Sequence, residues 1–233
     1  HRVTYIGDES TKPVKAKSAN AADRKIRRSL EALHKPESPN AVNKAWKYLG
    51  HNDRHIRWAA RIAIELQPTS QWQDKALSEK DTQASLTALC ALARQGEASL
   101  QGKLIKALNN LNWAELKPSQ QAELLRVYQL AFIRMGKPSE AMASSVEKKL
   151  DPIYPAPMAS LNRELCTILV YLESPNVASK TLALMSQSAD QSKYNWSNDL
   201  LNRNSGYAKA FAATAASSPQ RDQIHSAKEL RNL

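Results

Sequence analysis

Two stretches decide the fold: Asp53-Arg-His-Ile-Arg-Trp-Ala-Ala-Arg-Ile-Ala-Ile64 and Asp81-Thr-Gln-Ala-Ser-Leu-Thr-Ala-Leu-Cys-Ala-Leu92. Set 28 residues apart, they place Asp on Asp, Ala60 on Ala88, Ala63 on Ala91 and Ile64 on Leu92. Each opens on an aspartate, whose carboxylate accepts from the free N–H groups of a first helical turn. Apolar residues then recur at helical spacing, and small alanines let a neighbouring helix approach closely. In the first copy Ile56, Ala59, Ala60 and Ala63 share one side. Arg54, Trp58, Arg61 and Glu65 share the other, at i, i+4, i+7 and i+11. Arg57, four residues after Asp53, is expected to pair with it. The second copy has Ser85 at that position. In it Leu86, Leu89, Cys90, Leu92 and Ala93 spread around the circumference, so this helix is expected to be covered on several sides.

The same grammar extends outward. Helices are expected over 22–34, 39–49, 53–66, 70–78, 81–95, 97–108, 118–135, 138–150, 157–172, 175–187, 206–216 and 219–233. Several begin at proline (Pro39, Pro118, Pro138, Pro157, Pro175) and several end at glycine (Gly50, Gly96, Gly136), the asymmetry that helix termini favour. Residues 188–203 are polar and read as loop. At the start, Arg2-Val-Thr-Tyr-Ile6 is β-branched and aromatic and predicts a strand ending at Gly7-Asp8, with a lysine-rich linker through 18. Three segments follow: 1–18 as strand and linker from a preceding domain, 19–188 as helical repeats, and 189–233 as polar loop and two C-terminal helices. The chain opens on His1 rather than an initiator methionine and reads as a piece of a longer protein.

With 233 residues the chain can bury a full core. Only 6 glycines, against the many turns of a sheet-rich fold, favour an all-α class. The formal charge is +11, and it is uneven: residues 1–80 carry 16 basic and 9 acidic groups, while 151–233 carry 8 and 7. Such a field attracts acidic partners or polyanions. Arg24, Arg27, Arg28, Lys44, Lys47, Arg54, Trp58 and Arg61 are the candidate interaction face. A solvated basic face without a ligand is the bland alternative. So is a Trp58 packed beneath arginine stems.

Signatures of chemistry are missing from the sequence. It has no Cys-x-x-Cys, no Cys-x-x-Cys-His, no Gly-x-Ser-x-Gly, no His-Glu-x-x-His and no glycine-rich phosphate loop. His51 and His55 lie four apart, but Asp53 starts a helix between them, so a polar turn is expected rather than a metal site. Cys90 and Cys166 are expected as small buried hydrophobes, the methionines as core fillers and His225 as a packing residue. No stretch of about 20 apolar residues is present to span a membrane. No catalytic, cofactor-binding or metal-binding residue is assigned, and no cofactor is expected.

Asp53-x-x-Ile-Arg-x-x-Ala-Ala-x-x-Ala-Ile64 resembles the second helix of a short HEAT-like repeat. That resemblance implies an α-solenoid of antiparallel helix pairs. More broadly, Arg2-Val-Thr-Tyr-Ile-Gly-Asp-Glu-Ser-Thr11, residues 52–96, Leu200–Phe211 and Gln223–Leu233 resemble the helical region after the β-propeller in large exported planctomycete and verrucomicrobial proteins. Those are described as membrane-bound dehydrogenases or haem-binding proteins. The resemblance implies a periplasmic or secreted scaffold between a sugar-dehydrogenase-like propeller and a c-type haem module. Its partners would be neighbouring domains of the same chain or an acidic protein. The parent protein would be the dehydrogenase, with no catalytic role falling on residues here. The alternative is a cytoplasmic nucleic-acid-binding domain similar to HEAT-like DNA glycosylases, for which the basic N-terminal half and Trp58 speak.

Overall fold

The computed structural model describes residues 4–12, 20–187, 206, 210 and 221–233. Among them every regular element is helical: α1 (Ala21–Glu31), α2 (Ala41–Trp46), α3 (Arg54–Glu65), α4 (Gln73–Ser78), α5 (Thr82–Gln95), α6 (Gln101–Asn109), α7 (Pro118–Met135), α8 (Glu140–Leu150), α9 (Ala159–Tyr171), α10 (Val177–Gln187) and α11 (Arg221–Leu230). The chain is all-α over these residues.

Local chemistry sets the boundaries. Asp53 accepts from the N–H groups of His55 and Ile56 at 2.7 and 3.2 Å, and Asp81 accepts from Ala84 at 2.8 Å. Both expected aspartate caps are therefore present. The bonds hold the Asp53 carboxyl below its usual range. Pro118 opens α7 on its first residue, and the Lys117 N–H donates to Gln120 Oε1 at 3.0 Å. Gly136 ends α7 at φ +95°, a left-handed conformation that a side chain would strain.

Two rows of helices run through the molecule. In the first, α1, α3, α5, α7, α9 and α11 touch in succession; in the second, α4, α6 and α8 do. The short α2 joins the second row through its tryptophan. Trp46 Nε1 donates to Glu79 just beyond α4 at 2.7 Å, and Lys75 sits over the Trp46 ring at 4.5 Å. The rows face one another through α2–α3, α4–α5, α6–α7 and α8–α9. Between them lies one continuous core, with Leu49, Ile64, Leu89, Leu92, Leu104, Leu124 and Leu165 at zero exposure. The helix α5 is buried on nearly all sides from Ala84 to Ala93, Cys90 excepted, as its apolar spread predicts.

Buried amides close the joints between helices. Gln67 donates to the carbonyls of Lys35 and Ala63 and accepts from the Ser38 N–H, tying the loop after α1 to the end of α3. Gln101 donates to the Gly136 carbonyl at 2.6 Å, and Asn162 exchanges two bonds with the backbone of Ala156. Each satisfies backbone groups that burial would otherwise leave unpaired at a cost of about 1–3 kcal/mol.

Several expectations change. Thr4–Ile6, the described part of the predicted strand over 2–6, form no strand. Tyr5 and Ile6 are exposed, since no second strand among the described residues is there to pair with them. Arg57 does not pair with Asp53, whose carboxylate is taken by the backbone; it donates instead to the His51 and Asn52 carbonyls and to Glu123. The second helix starts at Ala41 rather than Pro39, because Asn40 takes a left-handed conformation at its N-terminus. It ends at Trp46, well short of Gly50. The loop expected over 188–203 and most of the helix expected over 206–216 lie outside the described residues.

Candidate functional site

The residues of the predicted basic face are spread over α1, α2 and α3. On α1, Arg24 is half-buried, Arg28 is exposed, and Arg27 pairs with Glu31 at 3.1 Å along its own helix. Lys44 and Lys47 are exposed on and just after α2, in the second row, with Lys47 over the Tyr48 ring at 5.1 Å. The remaining three, Arg54, Trp58 and Arg61, belong to α3 and behave differently from one another.

Trp58 is 44% exposed, so it is not buried beneath arginine stems, although one arginine covers part of it. The Arg54 guanidinium lies over its ring at 4.5 Å, and His55 meets it edge-on at 5.5 Å. Arg61 turns the other way, into the seam with α5. Its Nη1 donates to Cys90 Sγ at 3.3 Å, and its Nε lies 3.2 Å from Glu65 Oε1. That Nε is not aligned to donate and is buried without a hydrogen-bond acceptor. Glu65, read from the sequence as part of an exposed face, has a side chain only 6% exposed, because α5 packs against that flank. Arg94 of α5 donates to it at 2.9 Å. Burial pushes the Glu65 carboxyl above its ordinary range, against the pull of Arg61 and Arg94. Burial likewise raises the Cys90 thiol, which leaves it a poor nucleophile near neutral pH.

Between α3, α5 and α7 lies an open cleft of about 140 Å³. Arg57, Trp58 and Arg61 form one wall, Leu86, Thr87 and Cys90 the floor, and Glu123, Arg126 and Val127 the far wall. Arg57 reaches across to Glu123 at 3.2 Å, and Gln83 of α5 donates to the other oxygen of the same carboxylate at 2.6 Å. Arg126 is exposed, and its guanidinium Nη1 donates to Gln129 Oε1 of the same helix at 3.2 Å. Sequence reasoning missed Glu123 and Arg126 as members of this site. They lie more than 60 residues from Arg57, and no local pattern signals the approach.

Other titratable groups serve the frame. His51 Nδ1 accepts from the Asp53 N–H at 3.0 Å, so the His51–His55 pair is a polar turn. His225 Nε2 lies 3.3 Å from both Thr167 Oγ1 and the Arg163 carbonyl, packing α11 on α9. Cys166 is buried 3.7 Å from Thr181, which also bonds Tyr154; burial raises the Tyr154 hydroxyl to about 12. Among the described residues there is no group of three metal-ligating side chains, and no helix is long and apolar enough to cross a membrane.

Comparison of the chain with protein-family models, with curated proteins and with solved structures finds no match.

Proposed function

We propose that this chain is a non-catalytic helical-repeat scaffold, an α-solenoid of antiparallel HEAT-like helix pairs that spaces and docks neighbouring domains or an acidic partner. One observation carries the reading: successive first-row helices are cross-linked start to start and end to end. Near their starts, Arg57, Gln83 and Glu123 join α3, α5 and α7. Near their ends, Thr69 bonds Gln95, Arg134 bonds the Arg94 carbonyl, and Lys137 pairs with Glu173. Helices matched in this way run in one sense, and each second-row helix is then the return stroke between two of them. Such a stack offers a long, rigid surface rather than an enclosed pocket. Its positive charge steers docking and sets orientation more than it supplies affinity.

On the family resemblance, the parent is an exported bacterial dehydrogenase in which this segment joins a propeller to a haem module. The test is to mix the segment with the separately expressed flanking domains of its full-length gene product and follow complex formation at low and high salt. A complex that weakens as salt rises is expected, since 0.1 M salt screens charges beyond about 10 Å. No complex at any salt, or haem recovered with the segment alone, overturns the scaffold reading. A duplex DNA that binds it more tightly than the flanking domains do would put nucleic-acid binding in its place.

A further inference from the structure

The cleft between α3, α5 and α7 has features that packing alone does not require. Its walls carry three arginines, and they are not equally engaged. Arg57 is anchored by Glu123 and two backbone carbonyls. Arg61 donates to Cys90 and lies 3.2 Å from Glu65, but its buried Nε has no aligned acceptor. Arg126 is exposed, with its guanidinium reaching only a neutral amide of its own helix. Beside them stands a half-exposed indole with a guanidinium already stacked on one part of it. Leu86 on the floor and Val127 on the far wall give the cleft an apolar part.

We infer that this cleft is the docking point for an acidic protein segment, taking one carboxylate side chain between Arg61 and Arg126 while an adjoining apolar residue lies on Trp58. The inference rests on the docking reading above and names its partner chemistry. Three points select this occupant. A planar guanidinium fork matches a carboxylate in two parallel bonds. A cleft of about 140 Å³ holds one side chain, whereas pockets that enclose free small molecules run to roughly 300–1,000 Å³. The rest of the ligand must therefore lie outside, along the exposed Trp58, as a polypeptide does. Glu123 at the wall and Glu65 behind it add negative charge that a singly charged carboxylate tolerates better than a phosphate chain does.

The test uses the whole chain and a fluorescein-labelled heptapeptide of alternating glutamate and leucine, read by fluorescence anisotropy. Saturable binding that weakens with salt is expected. Arg126→Ala should weaken it at least tenfold. Arg126→Lys, which keeps the charge and loses the fork, should recover little of that loss. Trp58→Ala should weaken binding comparably. The double variant Lys103→Ala/Lys106→Ala removes more charge from the opposite row and should leave affinity within about twofold. Arg126 is exposed and bonds only Gln129 of its own helix, so its variants should fold, and a thermal melt checks this. A loss equal to that of Arg126→Ala in the Lys103→Ala/Lys106→Ala variant overturns the cleft assignment, as does equal binding by the glutamine counterpart of the peptide. Either result leaves docking by diffuse charge intact. Absence of any saturable binding overturns the cleft alone, since the flanking-domain experiment judges docking separately. A single-stranded oligonucleotide that displaces the peptide more effectively than unlabelled peptide does assigns the cleft to nucleic acid and overturns the proposal.

Discussion

Apart from the end helices α1 and α11, which hold Lys25 and Lys228, the two rows carry the same kind of charge in different chemical forms. The seven basic residues of α3, α5, α7 and α9 are all arginines: Arg54, Arg57, Arg61, Arg94, Arg126, Arg134 and Arg163. The six of α2, α4, α6 and α8 are all lysines: Lys44, Lys75, Lys103, Lys106, Lys148 and Lys149. In the first row several guanidiniums cross from helix to helix, while Arg54 and Arg126 stay on their own. Arg57 goes to Glu123, Arg94 to Glu65, Arg134 to the Arg94 carbonyl and Arg163 to Asp222. In the second row Lys44, Lys103, Lys106 and Lys148 are exposed, Lys75 rests on an indole, and only Lys149 reaches into a joint. There it donates to the Asn109 and Leu111 carbonyls, and burial pulls its ammonium below the usual lysine range. The difference follows from shape. A rigid fork with five donors can bridge two helices and still face a third group, while an ammonium is a compact, strongly hydrated point charge. Net charge therefore says little about which row does structural work.

The largest expected effect would break the core the two rows share. Leu89 has zero exposure within α5, and Leu89→Ala should cost about 2–5 kcal/mol, read as a lower midpoint in urea. An unchanged midpoint would show that α5 is not the common wall of both rows.

Second comes Glu65, the hub of the α3–α5 seam. Its folded pKa is raised, so its share of stability is present below the ordinary glutamate range. That share is lost as pH rises through the elevated value. Glu65→Gln should remove this component. The difference between parent and variant stability, measured by denaturation at a series of acid pH values, should therefore change across that window. A difference independent of pH would mean that Arg61 and Arg94 fully offset burial, and one with the opposite slope that they outweigh it.

Smaller still is the swap that sharpens the contrast. Arg57→Lys keeps the charge and loses the fork, and should cost about 1 kcal/mol in chemical denaturation. The reciprocal Lys103→Arg, on the solvated row, should stay within about 0.5 kcal/mol. Equal effects at both sites would erase the distinction between the rows.

Much of the frame was legible in the sequence, for local reasons. Asp53 and Asp81 were readable as caps because capping is settled within one turn. Proline and glycine marked α7 at both ends, Pro118 and Gly136, because each restricts or frees its own backbone. Helical spacing identified the buried side of α3 and the enclosed character of α5. The failures were equally physical. The strand expected over 2–6 followed propensity, but a strand needs a neighbour. Arg57 was matched to Asp53 by i, i+4 spacing, although the capping bonds had already claimed that carboxylate. Glu65 and Arg61 were assigned to an exposed face because the helix wheel of α3 contains no knowledge of where α5 packs. The cleft was invisible for the same reason: its walls come from three helices, and Glu123 and Arg126 carry no mark that ties them to Trp58.

The bond from Arg57 to Glu123 has one more consequence. It leaps over α5 to join α3 directly to α7, with Gln83 of the intervening helix gripping the same carboxylate. In a linear array in which each unit touches only its neighbours, an end can peel away one unit at a time, each step losing a single interface. A strap that skips a unit opposes that order here, because α3 cannot leave without also breaking its bond to α7. Amide protons of α3, α5 and α7 should therefore exchange with solvent through one shared opening event rather than in a graded sequence from the N-terminal side.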